Sequence, residues 1–219
     1  MLRIDVPEGR QPAEYVWTSL APHLAPEALG YSGAVYAKSK LPLRIFEAAR
    51  IRVAQINGCE MCQSWRGHRD TPAMLSGYGL SEAESNLVDA DIPDESFYTA
   101  VEHWRDAPDF SDRERVAIEF ADRYATDPKR LRDDDFWDEV DASFTKEEVV
   151  DLMLCLGAWI AGGRLQAVLG VDDACQIGTA SFASSSACEP GATRRGSAST
   201  ATRKRGESNI AEGGRDRAI

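Results

Sequence analysis

At three expected helix starts a hydroxyl residue is followed three positions later by glutamate: Ser81/Glu84, Ser111/Glu114 and Thr145/Glu148. At that spacing the hydroxyl accepts the N–H of the glutamate residue while the carboxylate accepts the N–H of the hydroxyl residue, so two donors left open at a helix start are satisfied reciprocally. Each pair predicts a helix. The one from Ser111 is expected to stop at Asp127-Pro128, and the one from Thr145 to run to about Leu169. The latter is apolar nearly all round (Val149, Leu152, Met153, Leu156, Trp159, Ile160), as suits a central or subunit-interface helix.

Proline and glycine punctuate the first half. A helix is expected over 12–24, with Tyr15, Val16, Leu20 and Leu24 near helical spacing, and helix or loop over 26–37. Leu41-Pro42 opens a long helix to Ile56, with Ile45, Ala49, Val53 and Ile56 as its core stripe. Asn57-Gly58 is a helix stop, because glycine tolerates the left-handed conformation that ends many helices. The next helix is expected from about Cys59 to Leu75, ended by Gly77 and Gly79. No segment alternates with period two, so the fold class is all-α.

Composition changes near Gly178. From Thr179 to Ile219 large apolar side chains nearly vanish, predicting a disordered Ser/Ala/Arg-rich tail (179–219) behind a helical domain (1–178). The chain carries 25 Lys+Arg and 36 Asp+Glu, net −11; the tail holds 7 and 4, leaving the body with 18 and 32, net −14. That charge disfavours a non-specific nucleic-acid partner. The longest strongly apolar stretch without a charge, Leu152 to Gly163, is 12 residues. A bilayer span needs about 20, so no membrane partner is expected. No apolar segment follows a basic start at the N-terminus, so a cytoplasmic location with reduced thiols is expected.

Five cysteines are an odd number for a disulfide framework. Two stand as Cys59-Glu60-Met61-Cys62, a C-x-x-C at a predicted helix start. There the open N–H groups and helix dipole favour a thiolate, which makes Cys62 the expected nucleophile and Cys59 the resolving thiol, the more exposed one to a reducing partner. Arg66, at i+4 from Cys62 on a continuous helix, adds positive charge on the same face. Glu47, twelve positions before Cys59, can fold back across the glycine corner to exchange protons or hold a water; alternatively it is a surface ion-pair partner of Arg44 and Arg50. A zinc site would need two more ligands, and Cys155, Cys175 and Cys188 are scattered, so no metal is expected. Cys155, inside the apolar helix, reads as an inert buried thiol, and Trp65 as a packing residue.

The run from Leu41 to Arg66, LPLRIFEAARIRVAQINGCEMCQSWR, resembles the signature of the carboxymuconolactone decarboxylase/AhpD-like family, and the similarity extends over most of residues 10–177. In that family's thiol-dependent branch a glutamate stands before the C-x-x-C with eleven residues between them, and a histidine commonly follows the second cysteine with three residues between them. Glu47, Cys59 and Cys62 match; Arg66 stands at the histidine position, and His68, two residues on, falls about 200° round a helix. The resemblance implies an AhpD-like helical bundle, a trimer or hexamer, and a peroxidase relay from Glu47 through water and histidine to Cys62. It implies a hydroperoxide substrate, an external dithiol or thiol reductant, and no cofactor. Three functions follow: a thiol-dependent hydroperoxide reductase, a lactone-branch lyase whose chemistry does not require the C-x-x-C, or a non-enzymatic redox-sensing oligomer of the same fold.

Overall fold

The computed structural model describes residues 1–77, 79–81, 85, 87 and 91–172. The expected tail, Glu84 of the first capping pair, Cys175 and Cys188 lie outside the described residues. Among those described there is no strand, and the α-helices are α1 (Pro12–Tyr15), α2 (Ala25–Lys38), α3 (Leu43–Asn57), α4 (Glu60–Ser64), α5 (Gly67–Gly77), α6 (Glu95–Ala100), α7 (Asp112–Thr126), α8 (Asp134–Ser143) and α9 (Lys146–Leu169). The protein is all-α.

The capping pairs at α7 and α9 both close: Ser111 with Glu114, and Thr145 with Glu148, each exchange the reciprocal hydrogen bonds. α7 ends at Asp127 ahead of Pro128. Gly58, at φ 67°, ends α3 and donates its N–H to the carbonyls of Ala54 and Gln55.

Other elements depart from expectation. The segment 12–24 is not one helix: α1 passes into a π-helical turn, Val16–Leu20, and the chain leaves helical geometry at Ala21. Ala21 precedes Pro22, whose ring disfavours the α conformation in the residue before it. The 26–37 segment is helical, as α2. Nothing in the capping-box spacing predicts α6, because Asp94 caps it by accepting the N–H of Phe97, with no glutamate to reciprocate.

The centre is held by α3 rather than α9. α3 packs on α7 and α9. Its Phe46, Ala49 and Val53 join Phe120 and Leu156 in one apolar cluster, while Ala48, Ile51 and Ala54 join Phe97, Val101 and Phe110 in a second. Cover on both sides is why even the polar Glu47 and Arg50 of α3 are buried. α9 buries Leu152, Cys155, Leu156 and Trp159 but exposes Val150, Leu154 and Val168. By length and composition α9 is also apolar enough to cross a membrane; in this fold one face of it packs on α2 and α3.

Candidate functional site

The C-x-x-C forms the corner between α3 and α4. Cys59 is the N-cap of α4, and its sulfur accepts the N–H of Cys62 at 3.2 Å. The two preceding donors are taken as well, Glu60 N–H by the Asp172 carboxylate at 2.8 Å and Met61 N–H by the Asp172 carbonyl at 3.0 Å. Cys59 and Cys62 are joined as a disulfide.

Two expectations are corrected here. The side chain that turns back over the open donors at the helix start is that of the N-cap, Cys59, rather than that of Cys62. Exposure is also reversed, since Cys59 is 0% exposed and Cys62 is half-buried. The glycine corner folds Cys59 back onto α3, with its N–H on the Ala54 carbonyl at 3.2 Å.

Glu47 is joined to the C-x-x-C segment through Arg50, which reaches the Cys62 carbonyl. Arg50 Nε donates to Glu47 Oε1 at 2.7 Å and Nη2 to Oε2 at 2.9 Å. The same guanidinium donates from Nη1 to the Cys62 carbonyl at 2.6 Å and from Nη2 to the Trp65 carbonyl at 2.8 Å. Glu47 is 0% and Arg50 2% exposed, so the surface ion-pair reading is replaced by a buried bidentate pair. Arg44 instead pairs with Glu114 at 2.6 Å. The Glu47 charge holds Arg50 protonated against the cost of its burial.

The expected helix from Cys59 to Leu75 is broken at Trp65, which is extended (φ −66°, ψ 140°) between α4 and α5. A continuous helix would pair Arg66 N–H with the Cys62 carbonyl. Side chains take both halves of that bond: the carbonyl goes to Arg50, and Arg66 N–H goes to the Asp70 carboxylate at 2.8 Å. α5 then opens at Gly67, where a Cβ would lie 2.9 Å from Glu47 Oε1.

The break removes Arg66 from the turn above Cys62. Its guanidinium pairs with Glu95 at 2.9 and 2.6 Å and lies 3.9 Å from the centre of the Tyr98 ring. It also donates to the carbonyls of Gln63 and Trp65. The placing of His68 on the far face of one continuous helix no longer applies either; His68 sits in the first turn of α5 near Glu95. Burial, and then the neighbouring Glu47 carboxylate, push the Tyr98 phenol up while Arg50 and Arg66 pull it down. Arg50 was legible only as a possible ion partner of Glu47, and no sequence signal pointed to Tyr98.

Cys62 lies against α9 at Gly163, where a Cβ would be 3.4 Å from its sulfur and 2.9 Å from Asn57 Nδ2. It also lines a groove of about 830 Å³, together with Tyr36, Arg50, Trp65 and Trp159. Tyr36 meets Trp65 edge-on at 5.9 Å and Phe46 at 5.4 Å, and Phe46 meets Trp159 at 4.7 Å, so this end of the groove is aromatic. Among the described residues no group of three or more His, Cys, Asp or Glu stands where it could hold a metal ion. The arrangement is a disulfide-bonded cysteine pair with the half-buried Cys62 on the groove and Cys59 held at a helix cap.

No protein-family model matches the chain, and no curated protein matches it. Among solved structures it is similar to a protein of unknown function from Agrobacterium tumefaciens, provisionally named an antioxidant defence protein, AhpD. The TM-score is 0.55 and the identity 18%, over 78% of this chain and 96% of that one. A likeness at that identity shows the fold, an AhpD-like arrangement of helices.

Proposed function

We propose that the chain is a thiol-dependent hydroperoxide reductase working through Cys59 and Cys62. The seating of Cys62 on an apolar groove, with Cys59 held behind it at the cap of α4, carries this reading. The Cys62 thiolate attacks the peroxide: an S–O bond forms, the O–O bond breaks, and the alkoxide takes a proton from solvent and leaves as the alcohol. Cys59 then attacks the resulting sulfenic acid, closing the disulfide and releasing water. An external dithiol or thiol returns two electrons.

Exposure decides which sulfur meets that reductant. It attacks Cys62, and Cys59 leaves as a thiolate stabilised by the N–H of Cys62. A second thiol resolves the mixed disulfide. In this scheme Arg50 positions the Cys62 carbonyl, and Glu47 keeps Arg50 charged and in place. Assembly into a trimer or hexamer is part of the proposal, with the exposed Val150 and Leu154 of α9 as a suitable contact, as is a cytoplasmic location.

The test is dithiol-dependent peroxide consumption, with the thiols followed by mass spectrometry. The wild-type chain should consume peroxide catalytically and end as the Cys59–Cys62 disulfide. Cys62→Ser should consume none, and Cys59→Ser should take one equivalent and stop at a sulfenic acid that dimedone traps. Consumption by Cys62→Ser, or no reaction at either cysteine, refutes the reading. A redox switch without turnover is favoured by one observation, the commitment of Glu47 to Arg50 and of Arg66 to Glu95, which occupies both expected proton-handling positions. It predicts a single oxidation per chain and no sustained consumption.

A further inference from the structure

We propose that Asp172 is a positioning residue of the thiol site, and that the charge of its carboxylate holds the Cys59–Cys62 pair toward the disulfide. The proposal rests on the part of the reading above in which an external thiol opens the pair, whatever oxidant closes it.

Three segments distant in sequence fix where Asp172 stands. α9 ends at Gly170, left-handed at φ 69°, and the N–H of the buried Val171 returns to the Gln166 carbonyl at 3.0 Å. From the other side Arg3 N–H donates to the Leu169 carbonyl at 3.0 Å, and a Cβ at Gly170 would run into the Met1 carbonyl. The exit of α9 is thus held between the N-terminal segment and the C-x-x-C corner. There Asp172 Oδ2 accepts the N–H of Glu60, the residue next to Cys59, at 2.8 Å, and the Asp172 carbonyl accepts that of Met61 at 3.0 Å. A full negative charge therefore sits one residue from the Cys59 sulfur.

That charge acts on the reduced pair far more than on the disulfide. A disulfide is neutral, whereas a thiolate at either cysteine is disfavoured by a like charge close by. With dithiothreitol the step balances as follows: its thiolate bonds the Cys62 sulfur, the S–S bond breaks, and Cys59 leaves with the electron pair and takes a proton from solvent. The second thiol of dithiothreitol then displaces Cys62 and closes a cyclic disulfide, so two electrons have passed to the protein. Asp172 opposes both the approach of the attacking thiolate and the departure of Cys59. Neighbouring charges do not offset it, because Arg50 is bound to Glu47 and Glu60, exposed in the first turn of α4, is a further carboxylate.

Asparagine separates the charge from the bracing. Its side-chain oxygen still accepts the Glu60 N–H and the main-chain carbonyl is untouched, so Asp172→Asn removes the charge and keeps both bonds. Asp172→Ala removes the charge and one bond.

The experiment equilibrates the full chain with mixtures of reduced and oxidised dithiothreitol at pH 8, alkylates the free thiols and reads the disulfide fraction by mass spectrometry. Asp172→Asn should move the equilibrium constant at least threefold toward the dithiol, about 14 mV for two electrons, and Asp172→Ala at least as far. The rate at which dithiothreitol opens the disulfide should at least double in both. The proposal is overturned if Asp172→Asn keeps the wild-type equilibrium, whatever Asp172→Ala does, or if it becomes harder to reduce. A chain that shows the shift but consumes no peroxide refutes the peroxidase reading and leaves Asp172 its role. A folded wild-type chain whose disulfide dithiothreitol does not open refutes both.

Discussion

Arg50→Met isolates the buried clamp beneath the C-x-x-C. The substitution keeps an unbranched apolar stem and removes four hydrogen bonds, two to Glu47 and one each to the carbonyls of Cys62 and Trp65. It leaves Glu47, 0% exposed, without its cation. Removing one partner of a buried pair costs about 3–5 kcal/mol, because the remaining charge is uncompensated. That is a large part of the roughly 5–15 kcal/mol that holds a domain folded. At roughly 2–4 °C per kcal/mol for a domain of this size, the melting temperature should fall by about 6–20 °C. Thermal and guanidinium unfolding of the oxidised protein, at one fixed protein concentration, measures both. The double variant Glu47→Gln/Arg50→Met removes the orphaned charge, so it should be more stable than the sum of the single losses by about 1–3 kcal/mol. A loss below about 1 kcal/mol for Arg50→Met, or strict additivity in the double variant, would show that the pair is not the clamp its geometry describes.

Gly67→Ala places a Cβ 2.9 Å from Glu47 Oε1, so unfolding should register a loss of about 1–3 kcal/mol as Glu47 or the start of α5 shifts. Thr145→Ala opens the capping box of α9 and should cost about 0.5–2 kcal/mol in the same assay, with no change in thiol reactivity. Burial and the neighbouring Asp151 push the Cys155 thiol well up. Iodoacetamide at about pH 8 should therefore leave the Cys155 peptide unlabelled until the protein is unfolded. Because the folded pKa is raised, the unfolded chain loses that proton first; stability should fall as pH rises past about 8.5, and Cys155→Ala should flatten that slope.

Much of the helical plan was legible because it is made within a few residues of itself. The boxes at Ser111 and Thr145 and the left-handed stop at Gly58 join groups at most four positions apart, so their residue types alone determine the hydrogen bonds. The interval from Glu47 to Cys59 pointed to a fold-back across the glycine corner, and the link the structure supplies is Arg50, between Glu47 and the Cys62 carbonyl. Tertiary structure decided the rest. Whether the chain stays helical past Cys62 depends on two side chains, Arg50 and Asp70, that outbid the backbone for the Cys62 carbonyl and the Arg66 N–H. Arg66 was drawn to Glu95 and Tyr98 by α6, an element that carries no capping box of its own. Which sulfur is exposed depends on how Gly58 folds Cys59 onto α3, and the groove is lined by residues that α2, α3, α4, α5 and α9 bring together. Contacts of that kind join residues far apart in the chain, and hydrophobic period and capping chemistry, which act over one or two turns, have no means of specifying them.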